Sequence, residues 1–145
     1  MAPGRSQPVE LAEELAARGL RATRQRIAIL RQLRRAEGHP TAADLHRQLL
    51  PTQPNLSQKT VYDALDALVG AGLAECVPDG GAPYRYEAHT EPHYHARCRI
   101  CGSLIDVPAR ADGPIRGRTP MPEGFEVERI RVTLVGRCGR CREDF

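Results

Sequence analysis

Two Cys-x-x-Cys pairs carry the most specific chemistry in this chain of 145 residues: Cys98-Arg-Ile-Cys101 and Cys138-Gly-Arg-Cys141. Each pair can bend into a knuckle that points two thiolates at one ion, and two knuckles complete a tetrahedral sulfur shell suited to zinc. Four sulfurs leave no open coordination position, so such a site is structural and not catalytic. A redox pair, or cysteines that simply pack, would not be expected twice in one small, core-poor stretch. The fifth cysteine, Cys76, stands alone and reads as a small buried apolar residue.

His93-Tyr94-His95 forms a second cluster. On a strand, residues two apart share a face, so both imidazoles can reach one ion. A Cys2His2 zinc site using one of them is set aside because all four paired cysteines are already assigned. Oxygen ligands within reach in sequence are Glu87 and Asp106. A mixed nitrogen and oxygen set without sulfur suits Fe(II), Mn(II), Ni(II) or Zn(II), and does not choose among them. His39, in Gly38-His39-Pro40, reads by itself as an exposed loop histidine, with a further ligand as the alternative. If it joined the His93/His95 ion, metal would tie two halves of the chain together.

The elements that must position these residues follow from periodicity. Val9 to Leu20 has helical apolar spacing and stops at Gly19. Thr23 caps a second helix with Ile27, Leu30 and Leu33 inward, ended by Gly38-His39-Pro40. Thr41 caps a third, stopped by Pro51, and Ser57 a fourth, ended by Gly70 and Gly72. Leu73 to Pro78 and Tyr84 to Ala88 then read as strands joined by the turn Asp79-Gly80-Gly81. Helices followed directly by a β-hairpin give the winged helix-turn-helix order, with the fourth helix in the major groove and the hairpin as the wing.

Beyond the wing the composition shifts. His93 to Arg97 and Leu104 to Val107 read as strands, Phe125 to Val135 as a longer one with a bulge near Arg129, and the Pro- and Gly-rich residues 109–124 as loop. The expected architecture is therefore α+β: a winged-helix DNA-binding domain over 1–88, then a small zinc-stabilised α/β domain over 89–145. A unit that short needs a metal, a disulfide or a partner subunit.

Composition narrows the function classes. Between Arg18 and Arg35 lie seven arginines and no acid, which says more about nucleic acid than the net charge of +3. Only Lys59 is lysine, so the number of arginines alone carries little; their clustering carries more. Met1 to Gln7 lacks the apolar core of a secretory signal, so a cytoplasmic location and reduced thiols are expected. No nucleophile motif, phosphate loop or acid–base pair points to an enzyme. A zinc-ribbon interaction module would leave His39, Glu87 and Asp106 without roles.

Taken together, Gly-Leu-Arg-Ala-Thr-Arg-Gln-Arg (19–26), His-Pro-Thr-Ala (39–42), Ser-Gln-Lys-Thr-Val-Tyr (57–62), Leu65, Gly72-Leu73, the His-Tyr-His and both Cys pairs resemble the ferric uptake regulator (Fur) family of metal-dependent dimeric repressors. The resemblance is closest to its peroxide-responsive (PerR-type) branch. It implies a homodimer on operator DNA, structural zinc on Cys98, Cys101, Cys138 and Cys141, and a regulatory Fe(II) or Mn(II) on His39, Glu87, His93, His95 and Asp106. It also implies that peroxide acts at Fe(II) to oxidise His39 or His93, which releases the metal and the DNA, whereas Mn(II) supports DNA binding without that reactivity. Aspartate at 106, where the iron-sensing branch has Glu, favours the peroxide reading. The alternative is a metal-uptake regulator sensing Fe(II), Zn(II) or Ni(II). Three departures stand out: Glu87 replaces the branch's Asp, residues 109–124 are Pro- and Gly-rich where the family has a helix, and no His follows His95. On the fourth helix Ser57, Lys59, Thr60 and Tyr62 are expected at DNA, with Arg18, Arg21 and Arg24 on phosphates.

Overall fold

In the computed structural model, residues 7–79, 82–88, 93–109, 120–128 and 130–143 are described. The chain divides into two compact units, Met1–Thr90 and Glu91–Phe145.

The first unit is built on helices whose ends are written in short polar side chains and glycines. Helix α1 (Pro8–Ala17) has proline at its start, where the missing N–H costs nothing, and buries Leu11 and Leu15. It closes on Gly19, whose φ of +77° lets the Gly19 and Leu20 amides reach back to the Ala16 and Leu15 carbonyls. Helix α2 (Arg24–Arg35) starts at Thr23, whose hydroxyl accepts from the Arg26 amide. Its buried stripe is Ile29, Leu30 and Leu33; Ile27, expected inward, packs only at the edge of the core. Helix α3 (Ala42–Leu49) opens with a reciprocal cap: the Asp44 amide donates to Thr41 Oγ1 at 3.1 Å and the Thr41 amide to Asp44 Oδ2 at 3.0 Å. Helix α4 (Gln58–Gly70) is capped by Ser57 and terminated at Gly72, φ +76°.

Two strands follow, β1 (Glu75–Asp79) and β2 (Ala82–Glu87), antiparallel with Glu75 opposite Glu87 and Cys76 opposite Tyr86. The register slips between Val77 and Asp79, at Pro78, which has no amide to give the ladder. Strand β1 begins two residues later than the apolar pattern suggests because Leu73 and Ala74 are spent on the core under α4. Gly80 and Gly81 of the expected turn lie outside the described residues. Leucines dominate the core, joined by Ile29, Val61 and Tyr86. Cys76 packs partly buried against it, as expected of a small apolar side chain. Helices and a hairpin in this order are the winged-helix arrangement.

The second unit centres on β3 (His93–Cys98), with β4 (Leu104–Pro108) antiparallel on one side and β5 (Thr133–Gly136) parallel on the other. Strand β5 is much shorter than the expected Phe125–Val135. Its first residue already pairs with His95, only two positions from the start of β3, so residues 125–128 have no strand to pair with and are neither helix nor strand. Arg129, where a bulge was expected, lies outside the described residues, as do 110–119 of the expected loop. A short helix not expected from the sequence, α5 (Gly139–Glu143), carries Cys141. Among the described residues this unit buries few side chains, chiefly Cys98, Cys141 and His95.

Candidate metal centres

The sulfur site is assembled by three short devices. Gly102, φ +76°, lets the chain turn back after β3, so its amide donates to the Cys98 carbonyl at 2.9 Å and the Cys98 amide to the Ser103 carbonyl at 2.9 Å. The Arg99 amide donates to Gly136 O at 2.9 Å, which pins the end of β5 beside the first knuckle. The Cys138 amide then donates to Cys98 Sγ at 3.3 Å, and α5 swings Cys141 inward. The four sulfurs lie within 4.8 Å of one another, and Cys101 Sγ and Cys138 Sγ are 3.8 Å apart.

The thiols are electrically unequal. Backbone N–H groups at Cys101 and Cys138 hold Cys98 down to about 6. Cys101 is lowered by the Ser103 hydroxyl, 3.3 Å from its sulfur. Cys141 is pushed up to about 12, first by the neighbouring Cys138 sulfur and then by burial. Some sulfurs are primed as thiolates, and their crowding resists a full set of four charges unless a cation shares them. A small divalent ion with soft-ligand affinity fits that donor set, and zinc is the one for which a closed sulfur tetrahedron is usual.

The imidazole and carboxylate residues form one cluster in each unit. In the first, the Tyr86 amide donates to Pro40 O at 2.9 Å, Thr41 bridges Arg85, and an Arg85 guanidinium N–H donates to His39 O at 3.2 Å. The loop before α3 is thereby fastened to β2, and His39 Nε2 comes to 2.9 Å from Glu87 Oε2. His39 is not the exposed loop histidine that it reads as by itself: both side chains are almost wholly buried. A buried carboxylate needs compensation, which the His39 ring beside it and a cation bound there would supply.

In the second unit, the β3/β4 register sets His95 directly across from Asp106. His93 shares their face two residues along, and its ring meets that of His95 edge-on at 4.8 Å. His95 Nε2 and His93 Nε2 lie 3.6 and 3.9 Å from Asp106 Oδ1, too far for hydrogen bonds. Ligands about 2.1 Å from one octahedral ion stand about 3 to 4 Å apart, so these separations suit a shared ion. The structure thus brings His39 to Glu87, and His93 to His95 and Asp106.

Glu75 was not among the residues expected at a metal. Its carboxylate comes within 4.8 Å of that of Glu87, and the β1/β2 register pairs the two positions. The hairpin was legible in the sequence, but a lone glutamate twelve residues before Glu87 has no ligand spacing of its own to single it out.

The expected DNA face is partly engaged in holding the fold. Ser57 Oγ caps α4 and lies 2.8 Å from the Thr60 hydroxyl. Lys59 pairs with Asp63 at 2.7 Å along the exposed side of the helix, which accounts for the acid at that position. Tyr62, Arg21 and Arg24 are exposed. Arg18 serves the fold itself, since its guanidinium donates to Ala71 O at 3.1 Å, beyond the C-terminus of α4.

A profile of the ferric uptake regulator family matches residues 17–135. The peroxide operon regulator of Bacillus subtilis is 35% identical over 132 residues, covering 91% of each chain. The peroxide-responsive repressor PerR of Staphylococcus epidermidis is 31% identical over 138 residues, 93% of this chain and 92% of that one. Among solved structures, the ferric uptake regulator of Helicobacter pylori superposes with a TM-score of 0.69 over 94% of each chain at 19% identity, a likeness of fold alone. PerR of Streptococcus pyogenes, at 26% identity, matches with a TM-score of 0.52 over 92% of each chain. With the family profile spanning well over half the sequence and the relatives nearly all of it, the chain belongs to the ferric uptake regulator family.

Proposed function

We propose that this protein is a metal-dependent transcriptional repressor that releases its operator DNA when hydrogen peroxide oxidises a ligand histidine. The observation that carries the reading is the pair of carboxylate-bearing histidine clusters: buried His39 with buried Glu87, and His93 and His95 with the more exposed Asp106. The resemblance to relatives named as peroxide-responsive along almost the whole chain supports it. Cys98, Cys101, Cys138 and Cys141 hold structural zinc. His39, Glu87, His93, His95 and Asp106 together hold one regulatory Fe(II) or Mn(II). Two copies of the chain form the DNA-binding unit. On the face of the β3 sheet opposite the histidines, Ile105 and Leu134 flank Ala96 and stand half-exposed, an apolar row that a second copy would cover. The domain limits are 1–88 for DNA and 89–145 for metal and dimerisation.

Fe(II), when held by His39, Glu87, His93, His95 and Asp106, would supply the one-electron redox chemistry that activates hydrogen peroxide. The chain's residues do the rest. Glu87 and Asp106 offset the ion's charge, and the buried surroundings of His39 and His95 keep bulk water from competing for it. His39 or His93 gains one oxygen atom on its ring while one water leaves, so the change needs no further reductant. The oxidised ring is a poor ligand. Losing His39 would free the ion from the loop that β2 clamps ahead of α3, and losing His93 would free it from β3; either loss would weaken the site's hold on the ion. Ser57, Lys59, Thr60 and Tyr62 on α4, with Arg18, Arg21 and Arg24, face the DNA.

Glutamate at position 87, one methylene longer than aspartate, favours the second reading, a metal-uptake regulator that senses Fe(II), Zn(II) or Ni(II) without oxidation. DNA retardation with Mn(II), Fe(II) or chelator, each with and without peroxide, separates the two. The peroxide reading expects retention with either metal, and release by peroxide only with Fe(II). Retention insensitive to peroxide with both metals leaves the metal-uptake reading, and retention in chelator removes both.

A further inference from the structure

Glu75 and Glu87 stand directly opposite one another in the antiparallel β1/β2 register, so both side chains leave the same face of the hairpin. Their carboxylates come within 4.8 Å. Like charges placed directly across a strand pair repel and destabilise the pairing, and Glu87 is about 1% exposed, so water screens little of it. His39 Nε2 occupies one side of Glu87 at 2.9 Å. Glu75 lies on the neighbouring strand and is only partly buried. It shares the face of Glu87, and its carboxylate oxygen is within the span that ligands of one ion keep.

We propose that Glu75 is an additional carboxylate ligand, or a carboxylate bound to the ion through water, of the regulatory cation held by Glu87, and that it biases the site toward hard divalent ions such as Mn(II). This rests on the reading that Glu87 binds the regulatory ion. A further carboxylate adds oxygen donors and negative charge to an otherwise imidazole-rich set, and oxygen donors suit Mn(II) better than they suit softer, nitrogen-preferring ions. A cation between the two carboxylates turns the cross-strand repulsion into attraction, so the wing tightens when the ion binds.

The test measures Mn(II) affinity of the full-length, zinc-loaded protein by competition with a fluorescent chelator, for the wild type, Glu75→Gln, Glu75→Asp and Glu87→Gln. Removal of a conformationally fixed partner of a metal site costs roughly 10- to 100-fold in affinity. Both Glu75 variants are expected to lose affinity by that order, since Asp keeps the charge but withdraws the oxygen. Thermal melts without Mn(II) are expected to show Glu75→Gln folded, so that its lost affinity reports the site and not unfolding. Unchanged affinity in Glu75→Gln, or wild-type affinity in Glu75→Asp, overturns the proposal. Glu87→Gln separates this from failure of the wider reading: if that variant also binds Mn(II) as the wild type does, the ion is not at Glu87 and the site assignment falls with it.

Discussion

Replacing Cys138 by serine should unfold the second unit and leave the first intact. The second unit has almost no apolar core: among its described residues the buried hydrophobic side chains are Cys98 and Cys141, both of them sulfur ligands, while Ile105 and Leu134 are about half exposed. Burial of a full-sized apolar side chain contributes about 1.5–3 kcal/mol, and a cysteine sits at the low end of that range. A structural zinc in a small domain contributes on the order of 10–16 kcal/mol. Loss of one of four thiolates therefore removes more than the unit's own packing can replace. Cys138 is the informative choice because its amide also donates to Cys98 Sγ, so both knuckles loosen together. Hydrogen exchange read by mass spectrometry is the assay. In Cys138→Ser, or in wild type stripped by a strong chelator, the amides of β3 and β4 should exchange as in an unfolded chain, while those of α2 and α4 stay protected. Retained protection in β3 without zinc would refute the reasoning, and so would a stability loss of only about 1 kcal/mol.

Four further outcomes follow from particular contacts. Asp44 is held below its ordinary value of 3.8, chiefly by the Thr41 amide and also by Arg47. Its cap therefore contributes in full above the unfolded pKa and is lost as pH falls through the lower folded value, so Asp44→Asn should cost about 1 kcal/mol at neutral pH and nothing in strong acid, measured by urea melts at both. Gly72→Ala should destabilise the first unit by about 1–2 kcal/mol, because φ is +76° and the new Cβ would sit 3.3 Å from Arg18 Nη1; an unchanged melt would contradict it. Arg24→Ala should reduce the salt slope of DNA binding by about 1, whereas Arg18→Ala should chiefly lower thermal stability, since its guanidinium holds the Ala71 carbonyl. Leu134→Asp should shift the protein toward monomer in sedimentation with the zinc retained; a persistent dimer would place the interface elsewhere.

The helical half of the fold was legible because its signals are local. Thr23, Thr41 and Ser57 each mark a helix start, and Gly19 and Gly72 each mark an end, with backbone angles that only glycine takes easily. The sulfur site was legible for the same reason, two fixed spacings of three. Strand β5 was not, because its extent is set by where β3 begins and not by its own alternation. Helix α5 is a single turn or so whose length is decided by bringing Cys141 to the other sulfurs, and five residues hold too little periodicity to announce it. Of the ligand candidates, His93, His95 and Asp106 could be anticipated from strand geometry. His39 could not be separated from an exposed loop histidine until the Tyr86–Pro40 and Arg85–His39 hydrogen bonds fixed it beside β2. The tie of the exposed Arg18 guanidinium to the Ala71 carbonyl was not legible either, because it joins residues 53 positions apart.

The most direct test loads the zinc-bound protein with Fe(II), adds its operator DNA, and exposes it to a small excess of peroxide, reading DNA release and tryptic peptide masses from the same sample. The account predicts one added oxygen atom on the peptide containing His39 or His93, rising in step with the fraction of DNA released, and neither change with Mn(II). Release of DNA with both histidines unmodified, or modification with the DNA still bound, would contradict it.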